Sequence, residues 1–552
     1  MNSRTFCNPL DLPYYYRGFI NAREGADPFV IVFRGKYYLF FSSAHGYFVS
    51  ENLAEWKHIK VDMDKYSVFH LYAPGACVIG DKMYLVFFGS GIFSSDNPDD
   101  PDSWVEVNSS QTWADPSLFY DENDGYVYGC DGCNPEDPLY LWKLDPNDNM
   151  NVVEGPVPVY YQDKFSHGFE RKGQNNELIE EDTWLEGAWL HKNNGKYYLT
   201  FAVPGTEFWT YADGCCTADS PMGPYTLCDN SPVAFKPTGF VRGAGHGCMF
   251  EDLEGRWWRV ATTSVNVNHG LERRIALYPV KHANDGRLYT NTFRTDYPMP
   301  YPVDNPTPFE TPDIGWELLS YGKSTEASSC RDDEHGPENI CDENPTTLWC
   351  AETGDAGEWV KIDLGNVYNI RAIQVNFGDL DTNIIHNGSY GAFKYIVEIS
   401  VDGENYTTLA DKRNNEEFNT HPYFPLDDAM GIRYIKVTNC GTVPAYGKFA
   451  VSGIRAFGDA YGEAPAFAPK FTATRNSADP CRMNVTWDKV DGAQGYCVRL
   501  GVDPDEMHIH YLSYGKCDID IGCLIKGVKY YLTVDSFNEG GITHGTEILA
   551  IE

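Results

Sequence analysis

What this 552-residue chain lacks narrows its reading first. No stretch approaches the ~20 apolar residues that a membrane-crossing helix needs. Positive charge is scarce: 43 Lys and Arg stand against 79 Asp and Glu, a net charge of −36. Binding nucleic acid requires clustered Lys and Arg to neutralise phosphates, so no nucleic-acid partner is expected. An anionic membrane surface is disfavoured for the same reason. The opening, MNSRTFCNPLDLPYYYRGF, has no basic segment followed by an apolar one. An intact signal peptide is therefore not expected, and the chain is read as cytoplasmic or as exported with its signal removed. The 16 cysteines form no small-domain framework. Cys130-Asp-Gly-Cys133 has metal-ligand spacing, but zinc would need a second pair or nearby histidines. Free thiols are expected, with Cys330–Cys341 or Cys341–Cys350 open to a disulfide. Helix signals are nearly absent from the first 300 residues.

Aromatic residues are abundant, at 14% of the chain. Flat rings pack well on pleated surfaces, and they also stack on the C–H faces of sugars; β-core packing accounts for most of them. Five segments then share one layout, a small or acidic opening, an apolar strand, a polar turn and an aromatic strand. They are ADPFVIVFRGKYYLFF, APGACVIGDKMYLVFF, ADPSLFYDENDGYVYG, LEGAWLHKNNGKYYLTF and GHGCMFEDLEGRWWRVA. Each reads as a hairpin around a glycine turn. Hairpins recurring at this spacing predict propeller blades, and five of them predict five blades. The expected fold is all-β: a five-bladed β-propeller over 1–300, a Pro-rich linker or wrap-around segment over 301–316, and two β-sandwich domains over 317–460 and 464–552. In the last, Trp487 reads as a core residue and Tyr531 as a corner tyrosine.

The innermost strand of each blade lines a propeller's funnel. Asp27, Asp115, Glu186 and His246 fall at similar places in four repeats, eight to ten residues before the turn glycine. A turn-capping role explains one Ala-Asp-Pro; it does not explain three carboxylates and an imidazole at similar phase. Carboxylates converging on one axis repel each other and lose solvent, which raises the pKa of at least one. One can then donate a proton while another stays ionised, as glycosidic-bond cleavage requires.

Ala26-Asp27-Pro28, Ala114-Asp115-Pro116, Trp184-Leu185-Glu186-Gly187-Ala188-Trp189, GKYYLTF and YADGCCTADSPMGPY together resemble glycoside hydrolase family 43 over about residues 6–300. The resemblance implies an inverting glycosidase with Asp27 as general base, Glu186 as general acid and Asp115 as the carboxylate that orients the acid and tunes its pKa. It implies that His246 sits beside a metal, commonly calcium, reached through waters; no cofactor is needed for the chemistry. Arg273 or Arg274 is expected to reach substrate or an acid residue, with Arg274 preferred, and Trp209 and Tyr211 are candidates for a sugar platform. The second repeat departs from the pattern with Ala73-Pro74-Gly75, and the insert FSHGFERKGQNNELIEED from Phe165 is expected to edge the pocket.

Asn344-Pro345-Thr346-Thr347-Leu348-Trp349, EWVKIDLG and VEISVDGENY make the second domain similar to discoidin or coagulation factor type C modules, some of which bind carbohydrate. Trp487 and VKYYLTV make the third similar to a fibronectin type III spacer. The partner implied is an oligo- or polysaccharide. The expected reaction is removal of terminal α-L-arabinofuranosyl or β-D-xylosyl residues from plant-type glycans, with galactan or galactofuranoside cleavage, or non-catalytic carbohydrate binding, as alternatives.

Overall fold

The computed structural model describes residues 4–17, 20–265, 267–383 and 391–552. Five antiparallel four-stranded sheets follow one another along the chain. Their innermost strands are Ala26–Phe33, Gly75–Ile79, Ser117–Asp121, Glu186–Asn193 and Arg242–Glu251. Each touches the next, and the fifth touches the first, so the strands close a ring. The protein is an all-β five-bladed propeller followed by β-sandwich structure.

The turn chemistry explains why the blades form where they do. Arg34-Gly35 and Asn194-Gly195 both take positive φ at two successive positions, 49° and 75° in the first and 49° and 80° in the second. That is the backbone of a type I′ hairpin turn, whose twist matches that of the strands it joins. The ring is clasped rather than completed by a shared blade. Thr5–Phe6 pairs with Met299–Pro300, and the buried Asn8 amide donates to the Leu277 and Thr295 carbonyls.

Residues 301–316 form a strap, not a free tether. Arg294 is buried and ion-paired with Asp313 and Glu317 on either side of the strap's end. The second domain is built on Trp359–Phe377, which pairs with Tyr423–Asn439 on one edge and Ala450–Gly458 on the other. The third has a three-stranded sheet (Phe471–Arg475, Met483–Trp487, Asp518–Ile521) and a five-stranded one around Gly495–Gly501 and Tyr530–Asn538. Trp487 is buried in the third domain's core. Its corner tyrosine is Tyr530, not Tyr531: the Ile525 amide donates to the Tyr530 hydroxyl at 3.0 Å. Strand alternation turns Tyr530 inward and leaves its neighbour half-exposed.

The second domain docks on the propeller through buried polar contacts. Arg23 pairs with Asp379 of the second domain, and both are out of solvent. Arg455 pairs with Glu343 and also donates to the Asp296 carbonyl. All 16 cysteines are free, so neither Cys330–Cys341 nor Cys341–Cys350 is a disulfide. Among the described residues, no helix is long and apolar enough to cross a membrane.

Candidate active site

Every blade carries the same backbone kink within or just before its inner strand. Asp27, Ala73, Asp115, Gly187 and His246 have φ of 54°, 45°, 46°, 59° and 41°. Side-chain-bearing residues seldom adopt this left-handed region, and it recurs where structure over-determines a functional position. Strand pairing slips at the kink in blades 1, 4 and 5, as a β-bulge does when it re-aims a side chain. Asp27, Asp115 and His246 ride on the kink itself. In blade 4 the kink residue is Gly187, and Glu186 precedes it by one position. A Cβ on Gly187 would come within 2.7 Å of the His246 ring, so the acid and the imidazole share the space only because this residue is glycine.

Three of the five kinked residues, Asp27, Asp115 and His246, line a cavity of about 370 Å³ together with Cys133, Glu186 and Arg273, with Tyr72, Phe88 and Trp184 among its aromatic residues. Asp27 accepts from the Ser42 hydroxyl at 2.6 Å and from Arg273 Nη1 at 3.2 Å. His246 Nδ1 lies 3.3 Å from the same carboxylate. Burial alone would push the Asp27 carboxyl up; Arg273, His246 and the Ser42 hydroxyl outweigh it and hold the group below the usual range. Arg273 is itself clamped by the buried Glu24.

Asp115 goes the other way. Burial raises it, His246 at 3.7 Å opposes, and the charges of Glu186 and Asp27 raise it further, to about 7. Glu186 is gripped at both oxygens: the Tyr211 hydroxyl donates to Oε1 at 2.5 Å and the Cys133 thiol donates to Oε2 at 3.4 Å. Burial, then Glu186 and Asp27, keep the Tyr211 phenol protonated far above its ordinary range. The arrangement offers a carboxylate held in its charged form, Asp27, and in the same cavity two further acids, Asp115 and Glu186, whose oxygens lie within 4.8 Å of one another.

Several candidates stand elsewhere than expected. Arg273, not Arg274, enters the cavity. The register of Arg273–His282 points alternate residues to opposite faces, and Arg274 turns outward to His421 and Thr420 of the second domain. Tyr211 is fully buried against Gly245 and cannot form an open platform. Trp209 lines a different cleft, with the Arg242 guanidinium 4.0 Å above its ring.

Residues 16–288 match Glycosyl hydrolases family 43, and residues 324–449 match the F5/8 type C domain. The chain carries a family 43 glycosyl hydrolase domain. A xylosidase/arabinosidase 43A of Humicola insolens is 25% identical over 255 residues, 40% of this chain and 74% of that protein. A xylosidase/arabinosidase of Butyrivibrio fibrisolvens is 26% identical over 27% of this chain and 28% of its own length. A beta-D-galactofuranosidase of Aspergillus niger is 29% identical over 19% of this chain and 29% of its own. The chain thus spans under a third of the latter two relatives. Among solved structures, a glycoside hydrolase aligns over 80% of this chain and all of its own, at 17% identity and a TM-score of 0.46.

Among the described residues, no cage of direct calcium ligands surrounds His246, whose metal the resemblance places beyond waters. Calcium takes about six to eight oxygen ligands. His246 presents one nitrogen to Asp27 and Asp115. The Asp213 carboxylate behind it accepts the His246 amide and pairs with Arg259, a cation already in place. Among the described residues, the ligand atoms close enough to share one ion are those of Asp115, Cys133 and Glu186, within 4.8 Å of one another. His246 is not one of them.

The insert after Phe165 does not edge the cavity either; it docks the third domain. The Gly168 amide donates to the Leu524 carbonyl, Arg171 pairs with Asp479, and Arg482 donates to the Asn175 carbonyl. Its polar residues read as a rim because the docking partner lies some 300 residues away in sequence. Cys133, Glu24, Ser42, Tyr72 and Phe88 belong to the site without a catalytic role expected from the sequence. Ser42 alone had a usable signal, since it pairs with Ala26 across the first hairpin.

Proposed function

We propose that the chain removes a terminal pentose, α-L-arabinofuranosyl or β-D-xylosyl, from plant-type oligo- or polysaccharides by single displacement with inversion. The observation that carries this is the pairing, in one cavity, of an Asp27 held ionised by Arg273 with a Glu186 gripped by two donors. Asp27 takes a proton from the attacking water. Glu186 gives one to the departing glycosidic oxygen. Asp115, His246 and Arg273 orient the two and tune their charge. A cavity near the lower end of the ~300–1,000 Å³ range of ligand pockets favours one sugar unit at a chain end over a bound polymer. The xylosidase and arabinosidase relatives support the choice of pentose, and the galactofuranosidase relative supports a furanoside as the second reading. In this reading the third domain is a fibronectin type III-like spacer and the second a carbohydrate-binding module.

A panel of 4-nitrophenyl glycosides, covering arabinofuranoside, xyloside and galactofuranoside, tests the sugar. Glu186→Ala should lose most turnover on natural glycosides and keep more on activated aryl glycosides; Asp27→Asn should lose both. NMR of the first-formed sugar should show the inverted anomer. Retention, or wild-type turnover by Glu186→Ala on both substrate types, overturns the assignment.

A further inference from the structure

Cys133 is the half of the Cys130-x-x-Cys133 spacing that no role has absorbed. The two thiols do not act together. Cys130 is fully buried and faces Ser117 and the Leu190 backbone, whereas Cys133 lines the catalytic cavity. Its segment is tied to the backbone beside both acids. The Gly132 amide donates to the carbonyl of Ala114, the residue before Asp115, at 2.9 Å. Asn134 exchanges amide–carbonyl bonds with Leu185, the residue before Glu186, at 3.2 and 3.3 Å. Gly132 makes this path available: its φ is 149°, and a Cβ there would meet Leu139 at 2.9 Å. The sulfur between these two anchors donates to Glu186 Oε2 at 3.4 Å. Asp115 lies within the same 4.8 Å cluster.

We propose that Cys133 is a positioning residue for proton donation, its S–H holding the Glu186 carboxyl in place and stabilising the carboxylate left when the proton departs. In that step the bond from the acid's oxygen to its proton breaks, and a new O–H bond forms on the departing sugar oxygen. Glu186 becomes a carboxylate, and Cys133 keeps its own proton throughout. Burial, together with the charges of Asp115 and Glu186, raises the thiol far above its ordinary range. Cys133 is therefore a lasting neutral donor and not a nucleophile. It complements Tyr211 on the other oxygen, so the nascent anion is met by a donor at each.

The proposal rests on Glu186 being the proton donor, and the test separates the two. Kinetics of wild type, Cys133→Ala, Cys133→Ser and Glu186→Ala are measured on a 4-nitrophenyl pentoside and on the matching disaccharide. Losing one hydrogen bond should lower kcat on the disaccharide by up to about tenfold with little change in KM. The 4-nitrophenyl substrate, which needs little proton assistance, should be nearly spared. Because the lost donor favoured the ionised acid, the alkaline limb of the kcat/KM profile should move up by about half a pH unit. Cys133→Ser, which restores a donor, should recover both readouts. A Cys133→Ala profile and leaving-group dependence like wild type, with Glu186→Ala behaving as a lost acid, overturns the role of Cys133 alone. Leaving-group independence in Glu186→Ala overturns both. If Cys133→Ala does not fold, Cys133→Val serves in its place against the same Cys133→Ser control.

Discussion

Asp27 and Asp115 are the same residue type on the same kink of two blades, and they titrate in opposite directions. The difference is what faces them. Asp27 meets the Arg273 guanidinium and a serine hydroxyl, while Asp115 meets the charges of Glu186 and Asp27, with His246 opposing them. This has a consequence for stability as well as catalysis. The folded Asp115 pKa, about 7, is above its ordinary 3.8. On raising the pH, the unfolded chain loses that proton first, so stability is fully present below 3.8 and falls as pH rises through about 7. Asp115→Asn removes the titrating group. Its melting temperature should exceed that of wild type by a few degrees at pH 8 and by little or nothing at pH 4, as read by calorimetry.

At the scale of the strand, the kink places the chemistry. Gly187 holds a left-handed φ of 59° with the His246 ring 2.7 Å from where a Cβ would stand. Gly187→Ala should cost about 1–3 kcal/mol and most of the activity. Gly195→Ala has a similar φ, 80°, but open space around it; it should cost about 1 kcal/mol and leave kcat unchanged. Denaturant melts and kinetics of the pair separate strain from collision.

The hairpins were legible in the sequence because apolar alternation and glycine turns are local. So were the three carboxylates, because the repeat supplies a ruler. The kink breaks that ruler by one residue, which is why Glu186 counts as equivalent to Asp27 and is not. Arg273 and Arg274 are adjacent and point to opposite faces, so choosing between them needs the strand's absolute phase. Trp209 and Tyr211 both follow the acid's hairpin in sequence, but Tyr211 is buried under the acid and Trp209 faces another cleft. Cys133 reaches the site through a chain path that leaves no periodic trace.

At the scale of the molecule, the appended domains are parts of the structure and not cargo. Phe169 and Phe235 of the propeller share one core with Tyr511, Leu524 and Tyr530 of the third domain. A chain ending at residue 463 should expose this apolar face, melt several degrees lower and self-associate, as read by calorimetry and gel filtration. On the other flank, Arg274, next to the catalytic-site Arg273, leans on His421 and Thr420.

The bridge from Arg171 to Asp479 spans 308 residues of chain. At about 5–20 residues per second, a ribosome needs on the order of 15–60 seconds to deliver the second partner after the first. From the synthesis of residue 235 until the third domain follows, the third and fourth blades have their strands and turns but no cover for Phe169 and Phe235. The newborn protein thus passes through a stage in which its catalytic half is largely synthesised and still sticky, and the last stretch to be translated brings that stage to an end.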